Sequence, residues 1–440
     1  MCDGMPFLPD RPRVAGSALT TPHFMLLYAA MLVAAAGNTA LQSVMPAIGR
    51  EIGIKDFWVT VSYTWSAVLW VLLAPFWARQ SDHHGRKALT LLGVGGFIVS
   101  MTLCGLALLA GLKGVLAGSL TFLAFGICRA LYGSFGSATP SATQAYLASK
   151  TRRSGRVAAL SALASSFSLG TIVGPALAPL FVLPVVGLAG PLFAFAAIAI
   201  CVFIAVSMGL PDDKKPRHGQ RQGHGAAMSY PSLASPPTGA SVIAATRPKG
   251  PRLKWDDPRI RRWITAGVIS GHAQAATLAC IGFFIIDRLH LAPHGSEKEI
   301  SIVMMAGAAG TLAAQWGLIP RLGLGSRSLI LWGSIIASAG MLVTVAAGDL
   351  YGIVLGFSLS CLGFGFTRPG FTSGASLAVP LAEQGGVAGV VTAANGACYV
   401  AAPAIGMLLY AADPNWPFLA GAALLVSLVL WGRRRLAVPA

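Results

Sequence analysis

The chain has 440 residues, 55% of them hydrophobic and only 11% charged, with a mean hydropathy of +0.68. Soluble domains carry about a quarter charged residues, so this composition excludes a soluble domain and requires an integral membrane protein. The net charge of +17 raises nucleic acid as a partner, but its distribution argues against one. Of the 32 Lys and Arg, all but Arg50, Lys55, Lys113, Arg129, Arg288, Lys298 and Arg368 fall in segments that share one side of the membrane, so the charge sets topology and no nucleic-acid partner is expected.

Twelve apolar runs are long enough to cross a bilayer, since ~20 helical residues span a hydrocarbon core of ~30 Å. They lie near 24–48, 57–77, 88–112, 115–147, 157–181 and 189–210, then 263–287, 299–319, 328–348, 350–377, 387–411 and 415–432. This predicts an all-α membrane protein of twelve transmembrane helices. The cation-rich loops hold Arg79, Arg86 and Lys87, then Lys150, Arg152, Arg153 and Arg156, then Arg321 and Arg327, and the tail Arg433–Arg435. The opposite loops hold few cations and most of the acids, which places both termini in the cytoplasm and the chain in the cytoplasmic (inner) membrane.

The stretch 78–89, "ARQSDHHGRKAL", is a charged hinge between the second and third runs. Gly85 supplies the backbone freedom for the reversal, and Arg86 and Lys87 hold the loop at the membrane face. Cations alone would anchor the loop, so Asp82 implies a positive partner. The eleventh run begins near Val387 on the same face, and a helix start carries about half a positive charge.

Arg129, in the fourth run, and Arg368, in the tenth, are charges inside apolar spans, which are costly and mark functional sites. In the fifth run Gly170 and Gly174 stand four apart, leaving a face without side-chain bulk for a close helix neighbour, and Pro175 removes a hydrogen bond. Asn38 and Gln42 share a face of the first run, His272 and Gln274 lie in the seventh, and Asn395 and Tyr399 share a face of the eleventh. These are candidate lining for a central cavity, with interhelical hydrogen bonding as the plainer role. Trp65, Trp70, Phe97, Phe283 and Phe284 are aromatic candidates for the same pocket or for ordinary packing. No Asp or Glu lies deep within a run. A proton carrier therefore falls to His272, whose class titrates near neutral pH, or to Asp287 near the end of the seventh run.

Residues 212–262 are polar, rich in Pro, Gly and Ser, and carry eleven cations against four acids. They cannot bury a core and are expected to form a flexible cytoplasmic linker between residues 1–211 and 263–440. Their end, "WDDPRIRRW" at 255–263, is a candidate helix start along the membrane surface. The two halves echo each other: 139–160 aligns with 368–390 at an offset of about 229, and Pro175 finds a counterpart near Pro403. Six helices plus six, related by an internal repeat, is a transporter signature.

The hinge residues Ala78, Asp82, Gly85, Arg86 and Lys87 resemble the Gly-x-x-x-Asp-x-x-Gly-Arg-Lys/Arg loop motif of the major facilitator superfamily, with Ala78 at the leading Gly and His83 after the acid. Arg129 followed by Gly133 resembles that family's intramembrane Arg motif. "GTIVGPALA" at 170–178 resembles the Gly-Pro motif of its drug–proton antiporter (tetracycline and multidrug efflux) branch, with Ala178 at the final Gly and Ser161 at the earlier one. The resemblance implies two pseudo-symmetric six-helix bundles, a cytoplasmic latch through Asp82, and a bent fifth helix at the bundle interface that limits leakage. It also implies proton-driven efflux of a small organic compound by a chain that works as a monomer. The alternative is uptake or facilitated exchange of a metabolite such as an organic anion steered by Arg129 and Arg368.

No Gly-x-x-x-x-Gly-Lys-Ser/Thr occurs, so ATP coupling is not expected. No cluster of His, Asp, Glu or nucleophiles points to an enzyme. The seven cysteines are scattered singly without metal or disulfide spacing, so neither cofactor nor metal is expected. The expected partners are a small-molecule substrate, protons and the lipid bilayer.

Overall fold

The computed structural model describes residues 21–150, 153–212, 253–380 and 383–436. The first half contains α1 (Thr21–Glu51), α2 (Asp56–His84), α3 (Arg86–Leu112), α4 (Gly118–Phe135), α5 (Ala138–Lys150), α6 (Arg153–Leu177) and α7 (Gly190–Gly209). The second contains α8 (Arg261–Arg288), α9 (Glu297–Leu322), α10 (Ser326–Ala346), α11 (Leu350–Leu377), α12 (Gln384–Ala412) and α13 (Trp416–Arg435). Among the described residues, ten helices are long and apolar enough to cross a membrane. The α4–α5 pair and α6 add two further helical columns among the described residues, which is consistent with the twelve expected. Helices satisfy every backbone group within the segment, as a bilayer core demands.

The hinge is tighter than expected. The charged stretch is not a loop of about ten residues, because α2 runs to His84 and α3 starts at Arg86. Gly85 alone makes the reversal, at φ +90° and ψ 143°, a conformation closed to residues with a Cβ. Asp82 therefore sits in the last turn of α2. Its side chain lies outside the described residues.

The fourth span is also not continuous. It begins at Gly118 and breaks at Gly136–Ser137. Pro140 has no N–H to give to the carbonyl four residues back, which is that of Gly136. Gly136 instead accepts from Thr139 at 3.3 Å. Pro369 lies inside α11 without such a break. In α9 the turn Ala313–Leu318 is π-helical. The segment 255–263 does not open a surface helix: residues before Arg261 form turns, and α8 runs from there through the span. The linker core, residues 213–252, lies outside the described residues.

Packing follows the halves. In the first, α1 packs on α6 and α7, and α3 on α4 and α7; in the second, α10 packs on α11 and α13, and α8 on α12 and α13. Contacts between halves run through α1, α2 and α6 on one side and α8, α9 and α12 on the other. Small residues permit the closest approaches. A Cβ on Gly340 would fall 2.3 Å from the Ser360 nitrogen, so α10 and α11 meet backbone to backbone.

Candidate functional site

Where the two halves meet, a cavity of about 100 Å³ opens between α1, α2, α8, α9 and α12. Its polar wall is Gln42, Thr60, Tyr63, Thr64 and Tyr399, and its apolar wall includes Met45, Val59, Phe283 and Met304. No Asp, Glu, His, Lys or Arg is among the lining residues. A mostly apolar pocket with a few placed polar groups is the common form of a small-molecule site.

The sequence candidates divide around this space. Gln42 and Tyr399 line it. Asn38, one turn from Gln42, is fully buried and accepts from Nη2 of Arg129. Asn395 and Gln274 are buried but not among the lining residues. Of the aromatic candidates, Phe283 lines the cavity, Trp70, Phe97 and Phe284 are buried in the core, and Trp65 is exposed.

Arg129 on α4 is inaccessible to solvent, and its guanidinium lies over the rings of Tyr132 at 4.6 Å and Tyr63 at 5.7 Å. A cation stripped of water is stabilised by ring faces and an amide oxygen, so Arg129 stands behind the Tyr63 wall. Arg368 on α11 is likewise buried. His272 points its Nδ1 at the carbonyl of Val268 on its own helix, 2.8 Å away. That bond fixes Nδ1 as the protonated nitrogen and is the ordinary way a helix accommodates a polar side chain.

Beyond Phe283, at the α1–α2 end, lies a cluster that bridges the halves, with three members the sequence did not single out. Arg50, ending α1, grips Asp56 through Nε at 3.2 Å and Nη2 at 2.6 Å. The same guanidinium reaches across to Asp287 on α8, with Nη2 at 2.9 Å and Nη1 closer. Tyr410 on α12 donates its hydroxyl to Asp287, and Arg50 also lies 5.5 Å from the Phe283 ring. Such bidentate Arg–carboxylate pairs are the strong, geometrically specific ones. Nearby, His294 lies 3.8 Å from Glu51, a second approach between the halves. The legible signal was that α1 and α8, the first helix of each half, each end in an arginine beside an acid, Arg50–Glu51 and Asp287–Arg288.

The smooth face of α6 lies against α1 of its own half. A Cβ on Gly170 would fall 2.7 Å from that of Ala35, and one on Gly174 would fall 2.2 Å from the Ala36 carbonyl oxygen. Thr39 Oγ1 donates to the Gly170 carbonyl at 3.3 Å. The helix touches α9 across the interface as well, but the glycines serve the contact with α1. The α-helix ends at Leu177, two residues past Pro175, and tightens to a 3₁₀ turn.

At the hinge end, Arg86 is buried, and Lys87 pairs with Asp212 at 3.0 Å, which fastens the start of the linker to α3. The start of α12 carries its own acid: Glu383 accepts from Arg259 at 2.8 Å, and Arg259 also grips Asp257 at the same distance. Hydrogen bonds from Arg259 hold the Asp257 carboxyl below the usual carboxylate range.

Comparison with known proteins places this architecture. The chain is 33% identical over 95 residues to the multidrug resistance protein MdtG of Proteus mirabilis (strain HI4320), covering 19% of this chain and 24% of that protein. It is 25% identical over 193 residues to the staphyloferrin B transporter of Staphylococcus aureus (strain NCTC 8325 / PS 47), covering 42% and 43%. The matched stretches thus span less than half the length of these relatives. In fold, it resembles the human organic anion transporter MFSD10 (TETRAN), with TM-score 0.62, 16% identity and coverage of 93% and 99%. It also resembles a mutant form of the nucleoside transporter NupG, with TM-score 0.65, 10% identity and coverage of 93% and 98%. The model of the Major Facilitator Superfamily matches residues 27–403, and the chain, a multi-pass membrane protein of that architecture, belongs to this family of transporters.

Proposed function

We propose that the chain exports a small amphipathic organic compound across the cytoplasmic membrane by alternating access, driven by inward proton movement. The observation that carries this is the apolar cavity between the halves, with the Arg50–Asp287 pair joining the halves beyond its Phe283 wall. The cation-rich hinge end faces the cytoplasm, as do both termini, and residues 1–211 and 263–440 rock against each other with 212–262 as their tether. Asp287 is the better proton carrier of the two candidates, because it joins the halves, whereas His272 is engaged with its own helix. The short match to a multidrug resistance protein supports export.

A second assignment, uptake or facilitated exchange, is favoured by one observation: among the described residues that line the cavity there is no Asp, Glu or His to carry a proton near neutral pH. Transport into inverted membrane vesicles under an imposed proton gradient separates the two. Proton release on adding an amphipathic compound, lost in Asp287→Asn, is the result expected of export. Saturable flux that ignores the gradient would establish the second assignment. The latch adds a further expectation: Asp82→Asn lowers flux about tenfold or more while leaving the melting temperature within about 2 °C, less than a ~1 kcal/mol loss would shift it.

A further inference from the structure

The linker is anchored at its far end before α8 begins. Ile260 is fully buried in a cluster with Val387 of α12 and Phe371 of α11, and Leu253 packs on the same cluster. That burial sets Arg259, the neighbour of Ile260, beside the start of α12. Asp257 orients it, accepting from the Arg259 backbone nitrogen at 2.9 Å and from Nε at 3.1 Å. Pro258 between them has its φ fixed by the ring. The guanidinium then takes both oxygens of Glu383, with Nη2 at 2.8 Å and Nη1 at 3.4 Å. Such a two-bond pair holds a carboxylate in direction as well as in place.

Glu383 occupies the cap position of α12, yet its side chain makes no cap hydrogen bond. A carboxylate at a helix start is ordinarily drawn to the N–H groups of the first turn, where the helix dipole favours an anion. Arg259 draws this one aside. The first turn of α12 contains no other acid.

The end of α2 stands at the same level as that helix start. Asp56, which begins α2, and Tyr410, near the end of α12, meet in the Arg50 cluster, so the two helices run antiparallel. They cross where a Cβ on Gly396 would fall 2.6 Å from a Val71 methyl carbon. His84 lies about 13 residues past that crossing and Gln384 about 12 before it, so at ~1.5 Å per residue both stand ~18–20 Å away on the same side. Asp82 is in that last turn of α2.

We infer, resting on the reading of Asp82 as the latch, that Arg259 is a positioning residue for it: by holding Glu383 off the start of α12, Arg259 leaves that start to Asp82. Two carboxylates at one helix start repel each other, so whichever takes it excludes the other. The end of the linker thereby acts on closure as well as tethering the halves.

The test needs no identified substrate. A cysteine placed at Ala67, which lines the cavity, is labelled by an impermeant maleimide in inverted membrane vesicles, with the native cysteines replaced. The labelling rate reports opening of the cytoplasmic end. Arg259→Ala should raise it about threefold, the order of what an anion at a helix start is worth, and Asp82→Asn should raise it likewise. Glu383→Gln should leave it unchanged, and Glu383→Gln added to Arg259→Ala should return it to the parent rate. That return separates the role from a strut, because a strut lost at either end would give one raised rate in both single variants and in the pair.

No rise in Asp82→Asn overturns the latch, and the role of Arg259 with it. A rise in Asp82→Asn without one in Arg259→Ala overturns the role of Arg259 alone. A rise in Arg259→Ala that persists in the double variant, or an equal rise in Glu383→Gln, makes the pair a strut and also overturns that role.

Discussion

At the scale of the residue, the decisive group is Arg50, one guanidinium shared by carboxylates of both halves. Asp56 belongs to the half of Arg50 and would move with it, whereas Asp287 does not. If the halves separate at this end, Arg50 keeps Asp56, and only Asp287 loses its cation. Removing the anion that joins the halves should therefore loosen closure while sparing the fold. We expect Asp287→Asn to raise the labelling rate of a cysteine placed at Met45 by an impermeant maleimide, about threefold or more, with a small change in melting temperature. Arg50→Ala should be worse, because it leaves two carboxylates facing each other. Its cost is set at about 1–2 kcal/mol, below the 3–5 for a fully buried pair, since these side chains are 20–35% exposed. Equal labelling in wild type and Asp287→Asn would remove the gate role. The sequence pointed to Asp287 but left Arg50 among the few cations outside the topology-setting loops, since a partner 237 positions away has no local signature. Gln42 and Tyr399 were legible because polar side chains in apolar spans stand out. Tyr63 was not, because a tyrosine in a span is ordinary.

At the scale of the element, close packing and one forced turn carry testable consequences. The α1–α6 contact is so tight at Gly174 that an added Cβ meets the backbone oxygen of Ala36 at 2.2 Å, and a backbone cannot step aside alone. Gly174→Ala should cost about 1–3 kcal/mol as overpacking and lower the melting temperature. Gly95→Ala is the control, since its Cβ would meet its nearest neighbour at 3.7 Å and replaces a poor helix former. A melting temperature equally lowered in both would mean that the α1–α6 contact is not the cause. Gly85 tests backbone geometry alone. Asn tolerates left-handed helical angles, but φ +90° with ψ 143° lies outside that region. Gly85→Asn should therefore fail like Gly85→Ala, each losing roughly 1–3 kcal/mol, measured as folded yield and melting temperature. Rescue by Asn would mean that the turn relaxes to a different conformation. The hinge was found in the sequence from Gly85 and its charges, but its length was not. Residues 78–84 are charged enough to resemble a loop and still continue α2, since helix formation turns on spacing and neighbours more than on charge. The break at Gly136 follows from Pro140, whereas Pro369 leaves α11 intact, so a proline fixes a lost hydrogen bond and the surroundings decide whether the helix parts.

At the scale of the whole molecule, alternating access requires that the halves separate at the Arg50 end in some part of the cycle. A single bond across α1 and α8 would pin the halves there. Gly282 on α8 faces Pro46 on α1, and a Cβ on Gly282 would stand 3.2 Å from the Pro46 Cβ. Disulfides need Cβ atoms ~3.5–4.5 Å apart, so a small adjustment admits a bridge between the pair Pro46→Cys and Gly282→Cys. The native cysteines would first be replaced, since Cys280 lies two residues away and is buried. Oxidation of this double variant should abolish transport in proteoliposomes by holding the Arg50 end shut, and reduction should restore it to the level of the unoxidised sample. Either single variant treated the same way should keep its rate. Full transport with a quantitative crosslink would mean that the halves do not part at Gly282 and Pro46, and the cavity would then have to empty by another route. Pro46 and Gly282 also line the cavity, so transport lost on oxidation and regained on reduction would support parting of the halves there only if the oxidised form still binds its compound. The all-helical membrane architecture was legible from the apolar runs, because a bilayer demands spans of a set length. The closed end was not, because it depends on which half-to-half contacts form, and those are made by residues far apart in the chain.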